Sequence, residues 1–269
     1  MTRLTTEWIS DIEAGMGEYS AGLQRKIGMT LMEFSRWVCG LDEQAFQQMQ
    51  KRYRVGVVPV TQGQGLIRGF SEALCAISRN IGFDTEISQK TDVDGIYDCI
   101  HRNRKILLCA DDERYIALNA EKGIIGENDQ GTALGYIRAL DAMLTCNGRS
   151  LKDENLLVIG CGRVGKIACS ILKSEGIEFG LYDRVRPIEK HGATYILSDP
   201  KEIAGYSAVL DFTNEGEWLT AKMLAENVFY ASPGVPYSPD AEAAEKIEAQ
   251  SIHDMLEIGT AIMLGTVMK

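Results

Sequence analysis

The sequence predicts an α/β protein whose C-terminal half contains a parallel, doubly wound sheet, and three observations support this. A short apolar run, Leu156–Ile159, leads directly into a glycine-rich turn, and a helical pattern follows the turn. Several more apolar segments typical of buried strands come later in the chain, at 178–182, 194–197, 208–211 and 228–231. The first half also has strand patterns that alternate with helical ones, as α/β folds require.

The glycine-rich turn is Gly160-Cys161-Gly162-Arg163-Val164-Gly165, which has the GxGxxG spacing of a dinucleotide-binding loop. The strand before it and the helix after it are the context that this spacing needs. In such a loop the first glycine permits the tight turn, the second lets the backbone approach the pyrophosphate, and the third allows close helix–strand contact. The segment therefore predicts a Rossmann domain in which all six turn residues contact the cofactor.

The ends of the later strands provide the remaining candidate cofactor residues. Asp183 ends the second strand of this domain, where an acidic side chain hydrogen-bonds the adenosine ribose of NAD and repels the 2′-phosphate of NADP. The neighbouring Arg184 weakens the argument against NADP, but Asp183 favours NAD as the cofactor. The other candidates follow two further strands and are Thr213, Asn214, Pro233 and Gly234.

The first half of the chain predicts a smaller domain that combines helices with α/β structure. Its first fifty residues have apolar side chains at helical spacing. Buried-strand patterns follow at 54–60 and 105–110, and a helix that contains Phe70 lies between them. This domain is therefore more than a helical bundle.

A polar turn at 150–155 separates the two halves, after a long helix predicted at 131–146. We therefore expect a helical and α/β substrate domain at 1–150 and the Rossmann domain at 151–269. The last helix is a candidate to pack back on the N-terminal domain.

Composition excludes several classes of protein. The net charge is −10 and no basic cluster is present, which argues against a nucleic-acid partner. The apolar stretches are too short to span a membrane, and the first residues lack the apolar core of a signal peptide. Seven cysteines without a CxxC pair are typical of reduced cytosolic thiols, and three histidines without metal-ligand spacing predict no metal site. We expect a cytoplasmic protein, as a homodimer, that binds a small-molecule substrate.

Several segments taken together resemble one family. They are 57–61 with Gly63 and Gly65, then 70–77, 107–112, 232–236 and 258–264. This combination is similar to the NAD-dependent dehydrogenases that complete pyrrolysine biosynthesis. The likeness covers most of the chain from Val55 onward, and it includes Leu4 and Thr5.

The resemblance implies a substrate, 3-methylornithyl-N6-lysine, and a reaction. The carbon of the terminal primary amine gives a hydride to NAD, and the resulting imine is hydrolysed or attacked directly by the α-amine of the ornithyl part. A pyrroline ring closes and ammonia leaves. An alkyl ammonium has a pKa of about 10.4 in water, so a carboxylate that holds the ammonium and relays its proton would assist the reaction.

The resemblance also implies site residues. Asp111, at the end of the second predicted strand, matches a carboxylate that contacts the substrate. Asp254 matches a second acidic position, where the family has glutamate, and Glu257 competes with it. The predicted substrate-binding residues are Leu4, Thr61, Ser71 and Gln130.

Two other interpretations remain open from the sequence. One is another two-domain NAD(P)-dependent dehydrogenase that acts on an amino acid or a folate, although Lys105 and Lys122 flank the strand ends where a catalytic lysine would be expected. The other is an NAD-sensing module without catalysis, although no basic recognition helix is present. Asp111 and Asp112 could also be a solvated helix start with Asp112 as its cap, and His253 could transfer protons.

Overall fold

A computed structural model describes residues 4–185 and 189–269, which form two compact units. Unit 1 contains the described residues up to Gln24, then Met29–Thr132 and Leu256–Lys269. Unit 2 contains Arg25–Gly28 and Ala133–Met255. We predicted a boundary near residue 150 from the polar turn, whereas the units divide inside the preceding helix, between Thr132 and Ala133.

Residues 6–52 are mostly helical, as predicted. Four helices follow one another: α1 (Thr6–Ile9), α2 (Ile12–Ile27), α3 (Leu31–Val38) and α4 (Glu43–Arg52). Local capping explains where two of them begin. Thr30 forms a capping box with Glu33 at the start of α3, and the Asp42 carboxylate accepts the Ala45 N–H at the start of α4.

Unit 1 contains a five-stranded mixed sheet in the order β2-β1-β3-β4-β5. The strands are β1 (Val55–Val58), β2 (Thr85–Ile87), β3 (Ile106–Ala110), β4 (Tyr115–Asn119) and β5 (Ile124–Glu127). Strand β1 pairs in parallel with β2 and β3, and β3, β4 and β5 form an antiparallel meander. Two crossover helices, α5 (Phe70–Asn80) and α6 (Asp92–His101), join the parallel strands. The carboxyl ends of β1 and β3 therefore meet at one edge.

Unit 2 contains the predicted parallel sheet, which follows the long helix α7 (Asn128–Cys146). Its strands and main helices are β6 (Leu156–Ile159), α8 (Arg163–Ser174), β7 (Gly180–Tyr182), β8 (Tyr195–Ile196), β9 (Ala208–Asp211), β10 (Phe229–Ser232), α9 (Ala241–Ile247) and β11 (Ser251–His253). The order is β11-β10-β9-β6-β7-β8 with every pairing parallel. This is the Rossmann order, and its direction reverses between β6 and β9, where such sheets bind ligands.

The last helix, α10 (Glu257–Thr266), is part of unit 1. Every residue from Glu257 to Gly265 is buried, and the helix packs against α3, α5, β4 and β5. Among the described residues, no helix combines the length and the apolar character that a membrane span needs.

Candidate active site

The glycine turn of unit 2 has the geometry of a cofactor loop. Gly160 has φ +85°, and a Cβ there would lie 2.9 Å from backbone atoms of Phe212 and Thr213. A Cβ on Gly165 would lie 2.0 Å from the Gly160 carbonyl oxygen, so helix α8 can approach the turn only with glycine at this position. At Gly162, by contrast, a Cβ would meet no atom within 4 Å. The open space at Gly162 is where a pyrophosphate would approach the backbone, so these residues fit a dinucleotide.

Three loops converge at this edge of the sheet. Besides the contact between Gly160 and Thr213, a Cβ on Gly234 would lie 2.4 Å from the Thr213 carbonyl oxygen. The predicted cofactor residues after β6, β9 and β10 are therefore neighbours. The doubly wound topology explains this, because the carboxyl ends of its parallel strands lie on one edge.

A buried carboxylate fixes the middle loop. Asp211 is fully buried, and its Oδ1 accepts hydrogen bonds from the Thr213 N–H at 2.8 Å and the Thr213 hydroxyl at 2.7 Å. Its Oδ2 accepts the Tyr230 hydroxyl at 2.7 Å. Burial, with the nearby Asp211 charge, raises the pKa of Tyr230 well above its usual value, so the phenol stays a donor. Asp211 therefore orients Thr213 against the glycine turn.

Asp183 lies beside the glycine turn, as a ribose-binding residue should. Its Oδ2 accepts the Cys161 N–H at 2.6 Å, and its Oδ1 accepts the Val185 N–H at 2.8 Å. The next residue, Arg184, forms an ion pair with Glu215, and its guanidinium lies over the ring of Trp218, 5.3 Å from the centroid.

The glycine turn, Asp183, Arg184 and the loop after β9 line a groove of about 480 Å³, which we call the dinucleotide groove. Its lining consists of Gly160, Cys161, Gly162, Lys166, Asp183, Arg184, Val185, Glu189, His191, Phe212, Thr213, Asn214 and Glu215. The predicted cofactor residues Arg163, Val164 and Gly165 lie in the chain between Gly162 and Lys166 but not in the lining, and Pro233 and Gly234 also lie outside it. Sequence reasoning missed Lys166 and Glu215, although each directly follows a predicted cofactor residue.

Unit 1 has a cavity of about 360 Å³ at the carboxyl ends of β1 and β3, which we call the acidic cavity. Its lining consists of Leu4, Val57, Val58, Pro59, Val60, Gln64, Gly65, Leu66, Ile67, Phe70, Ser71, Leu74, Ala110, Asp111, Asp112 and Glu113. The walls are thus mostly apolar, and three consecutive carboxylates lie at one side. In the part of the chain that the structure describes, the lining includes no lysine, arginine or histidine.

Asp111 shapes the turn that joins β3 to β4. Its Oδ1 accepts the N–H groups of Glu113 at 2.8 Å and Arg114 at 2.7 Å. The other oxygen, Oδ2, accepts no hydrogen bond from the described residues. Arg114 is paired with Glu127 at 3.7 Å and is not in the cavity lining. Asp111 is therefore a turn residue, and one of its oxygens remains available to a ligand.

The loop after β1 is held on both sides by carboxylates. Asp112 accepts the Gln64 N–H at 2.6 Å, and a Cβ on Gly63, whose φ is +81°, would lie 2.2 Å from the same oxygen. Thr61 donates its N–H and its hydroxyl to Asp92, each at 2.7 Å, and these bonds lower the pKa of Asp92. Glu113 and Gln64 are further lining residues that the sequence analysis missed, although Asp111-Asp112-Glu113 is a visible acidic run.

Of the four predicted substrate-binding residues, two line the acidic cavity and two do not. Leu4 and Ser71 are half-buried and line the acidic cavity, Ser71 from the first turn of α5. The exposed Thr61 lies outside the lining of the acidic cavity. Its N–H and its hydroxyl both donate to Asp92. Gln130 is exposed in the first turn of α7 and also lies outside that lining.

The two candidates for the second acidic residue lie in different units. Asp254 follows β11 in unit 2 and is buried; its N–H donates to the Tyr136 hydroxyl, which donates to its carbonyl oxygen, each at 3.1 Å. Glu257 begins α10 in unit 1, is also buried, and accepts the Leu256 N–H at 2.9 Å. Neither residue lines either of the two cavities described above.

His253 ends β11 inside unit 2. Its Nδ1 lies 2.9 Å from the Ser232 carbonyl oxygen, so Nδ1 is the protonated nitrogen, and the ring stacks on Tyr237 at 4.1 Å. Burial lowers the pKa of His253, more than the Ser232 hydrogen bond raises it. The imidazole is therefore held neutral.

The fold is that of a two-unit protein with a Rossmann-type sheet, and solved dehydrogenases share it. A shikimate 5-dehydrogenase from Thermus thermophilus, solved in complex with shikimate, has a TM-score of 0.51 at 16% identity and covers 80% of this chain and 92% of its own. A bifunctional 5,10-methylenetetrahydrofolate dehydrogenase/cyclohydrolase from Thermoplasma acidophilum has a TM-score of 0.52 at 12% identity, covering 88% and 94%. At these identities the likeness shows the fold alone.

The sequence relatives are more specific. Residues 10–126 match the family described as pyrrolysine biosynthesis protein PylD, N-terminal domain. The chain is 28% identical to a pyrrolysine synthase from Methanosarcina barkeri, over 100% of this chain and 98% of that protein. It is 27% identical to one from Methanosarcina acetivorans, over 100% of each. The resemblance predicted from the sequence is confirmed: the chain is similar over its whole length to proteins named pyrrolysine synthase.

Proposed function

We propose that this chain is an NAD-dependent dehydrogenase that oxidises the terminal primary amine of 3-methylornithyl-N6-lysine. The product is an imine or aldehyde that cyclises to the pyrroline ring of pyrrolysine with loss of ammonia. Full-length similarity to pyrrolysine synthases supports the pathway, and the dinucleotide groove supports the redox chemistry. The single observation that carries the substrate class is the acidic cavity, whose described lining includes three carboxylates and no cation.

The charge of this cavity separates the proposal from the activities of the fold neighbours. Shikimate and folates are carboxylates, and a lining of like charge would repel them. The chain's candidate lysines lie elsewhere: Lys105 precedes β3, at the opposite end of the strand from Asp111, and the Lys122 ammonium donates to the carbonyl oxygens of Met268 and Lys269 at 2.7 and 2.6 Å. An apolar cavity with a carboxylate rim instead favours an aliphatic ammonium.

Asp111 is the residue that we assign to the reacting amine. Its Oδ2 accepts a hydrogen bond from the ammonium and helps the nitrogen to lose a proton, which must happen before hydride can leave the neighbouring carbon. NAD, when bound in the dinucleotide groove, would supply the hydride acceptor. The α-amine of the ornithyl part then attacks the oxidised carbon, a new C–N bond closes the ring, and the original nitrogen leaves as ammonia.

Unit 2 provides the cofactor site in this proposal. The helix start after Gly162 presents backbone N–H groups to the pyrophosphate, and Asp183 binds the ribose hydroxyls, which favours NAD over NADP. The second acidic residue is Asp254 by resemblance, with Glu257 as its competitor. Comparing the turnover of Asp254→Asn with that of Glu257→Gln decides between them.

The test is to incubate the protein with NAD and 3-methylornithyl-N6-lysine, and to follow reduced cofactor by absorbance and the ring product by mass spectrometry. Stoichiometric NADH, pyrrolysine and ammonia are expected. Parallel reactions contain shikimate or methylenetetrahydrofolate with either cofactor. Reduction with those substrates and not with the amine would overturn the substrate assignment, and NAD binding without any turnover would favour a sensing module.

The cofactor assignment has a matched pair of variants in unit 2. Gly162→Ala adds a methyl group that meets no protein atom within 4 Å, and so does Gly205→Ala, at the end of the 3-10 helix Pro200–Gly205. Both variants should therefore fold normally. We expect Gly162→Ala to weaken NAD binding by calorimetry at least tenfold, or about 1.4 kcal/mol, and Gly205→Ala to leave it unchanged. Equal affinities would refute the assignment of the turn.

Assembly and location are also part of the proposal. We propose a homodimer in the cytoplasm, on the basis of the sequence analysis. Sedimentation equilibrium across a range of concentrations tests the first point, and a mass of one chain throughout would contradict it. Fractionation of the native cells tests the second.

A further inference from the structure

We propose that Glu215 is a specificity-determining residue of the dinucleotide groove, because it holds Arg184 away from the position of a 2′-phosphate. In Rossmann domains an arginine near the end of the second strand can accept the 2′-phosphate of NADP. Arg184 is at that position, directly after Asp183. The inference rests on the proposed function, since it requires the groove to bind a nicotinamide dinucleotide.

The contacts of Arg184 carry the inference. One guanidinium nitrogen pairs with the Glu215 carboxylate, and the guanidinium carbon lies 5.3 Å from the ring centroid of Trp218. The indole N–H of Trp218 is buried and has no acceptor among the described residues. Arg184 therefore has two partners, the ring of Trp218 and the carboxylate of Glu215.

The charges of the dinucleotide groove also disfavour a 2′-phosphate. Its described lining contains three carboxylates, Asp183, Glu189 and Glu215, against two permanent cations, Lys166 and Arg184. Pairing Arg184 with Glu215 neutralises the cation that directly follows Asp183, so the described lining keeps an excess of negative charge. A 2′-phosphate would bring a further charge of about −1.5 to −2 into these surroundings.

The ion pair is accessible to solvent, so Arg184 is free to reorient once the Glu215 charge is lost. The Arg184 and Glu215 side chains are 44% and 50% exposed, and neither is enclosed by the core. Removing the Glu215 charge therefore both releases Arg184 and removes a repulsive carboxylate. Both effects favour the 2′-phosphate, and neither involves the Asp183 contact to the ribose of NAD.

The probes are ADP-ribose and its 2′-phosphate, because they test the adenosine end without any hydride transfer. Calorimetry should give wild-type protein a preference for ADP-ribose. In Glu215→Gln the ratio of the two dissociation constants should shift towards the 2′-phosphate by roughly tenfold, the effect of one charge across an exposed groove. Thermal unfolding of the same samples checks that the fold is intact.

Two further variants isolate the cause. In Glu215→Gln/Arg184→Gln most of the shift should disappear, because only the lost repulsion of the carboxylate remains once the guanidinium is gone. Glu226→Gln removes an exposed carboxylate that pairs with Lys246 at 3.2 Å, and it should leave the ratio at the wild-type value. An unchanged ratio in Glu215→Gln, or a shift that keeps its full size without Arg184, overturns the inference. If wild-type protein binds neither probe, the cofactor proposal itself fails.

Discussion

The Asp111 carboxylate combines a structural contact with a proposed chemical one, and its two oxygens divide these tasks. Oδ1 accepts two backbone N–H groups in the β3–β4 turn. These bonds restrict the rotation of the carboxyl group, and Asp111 lines a mostly apolar cavity. A carboxylate fixed in this way loses little side-chain entropy when it binds an ammonium, so the turn itself prepares the site.

Asp111→Asn separates the two tasks, because an amide oxygen can still accept the turn hydrogen bonds while the charge is lost. We expect the free energy of unfolding to change by less than about 1 kcal/mol, since an acceptor is retained. Single-turnover hydride transfer should fall by roughly 10²–10⁴, the usual range for a positioned acid–base group. NAD affinity, measured by calorimetry, should not change.

Glu113→Gln is the matched control, since it neutralises a carboxylate of the same cavity two residues away. We expect it to raise KM for the amine several-fold and to change the hydride-transfer step little. If Asp111→Asn keeps wild-type turnover, Asp111 is only a turn residue. The proton transfer would then belong to Asp254, Glu257 or water.

His253 gives a prediction for the pH dependence of stability. Burial lowers its pKa in the folded protein, whereas the unfolded chain has the ordinary value of about 6.5. The unfolded state therefore binds more protons below about pH 6.5, and the contribution of His253 to stability is lost as pH falls from there. His253→Asn retains a donor near the Nδ1 position and does not titrate.

The difference between the unfolding free energies of wild type and His253→Asn should thus decrease between about pH 8 and about pH 5.5. Urea unfolding at several pH values measures it. A constant difference would mean that the folded imidazole accepts a proton at its ordinary pKa, and a difference that grows towards low pH would mean that the folded pKa of His253 is raised.

At the scale of elements, glycines in α10 determine how closely unit 1 can pack around that helix. A Cβ on Gly265 would lie 2.5 Å from the Cys39 sulfur and 2.9 Å from the Ser35 hydroxyl oxygen. That hydroxyl donates to the Ala261 carbonyl oxygen at 2.6 Å, so it cannot move without losing a buried hydrogen bond. The contact between α10 and α3 therefore depends on the missing side chain.

We expect Gly265→Ala to lower the free energy of unfolding by about 1–3 kcal/mol, because overpacking outweighs the gain in helix propensity. Gly15→Ala in α2 is the control, since a Cβ there meets no atom within 4 Å. It should be neutral or stabilising by up to about 1 kcal/mol. Denaturant unfolding measures both variants. Similar stabilisation in both would show that the contact between α10 and α3 accommodates a methyl group at position 265.

The elements that sequence reasoning identified share a strong local pattern. Strands β1, β3, β6, β9 and β10 are apolar runs bounded by turn residues, and the structure confirms them together with the glycine turn. Strand β2 has only three residues, and β4 has Asn119 at a buried position, where its amide donates to the Val267 carbonyl oxygen at 2.9 Å. Helix α10 is buried on all sides, so its sequence has no amphipathic period from which its bounds could be predicted, although a last helix was expected.

In the candidate site, too, local sequence patterns predict some residues, but contacts between distant residues escape them. The glycine turn and Asp183 could be predicted because each glycine has a local backbone reason and the acid follows a strand. The pairing of Arg184 with Glu215, and that of Asp112 with the Gln64 N–H, join residues 31 and 48 positions apart. No local pattern encodes such contacts, since they depend on which strand ends the sheet order makes neighbours.

At the scale of the whole molecule, the net charge of −10 and the acidic cavity act in the same direction on a cationic substrate. A protein of this charge attracts an ammonium over distances comparable to the Debye length, which is about 30 Å at 0.01 M ionic strength and about 8 Å at 0.15 M. Added salt shortens that range before it weakens the direct contact at Asp111. The dinucleotide is an anion, so the same field opposes its approach.

We therefore expect kcat/KM for the amine to fall several-fold between about 0.01 M and about 0.15 M salt, while kcat changes little. The affinity for NAD should stay constant or rise over the same range, because screening relieves repulsion. Glu113→Gln should reduce the salt dependence for the amine and leave that for NAD as it is. Steady-state kinetics at saturating NAD measures the first quantity, and calorimetry measures the second. If kcat/KM for the amine is independent of salt in the wild type, its charge does not attract the substrate, and the acidic cavity acts only through direct contacts.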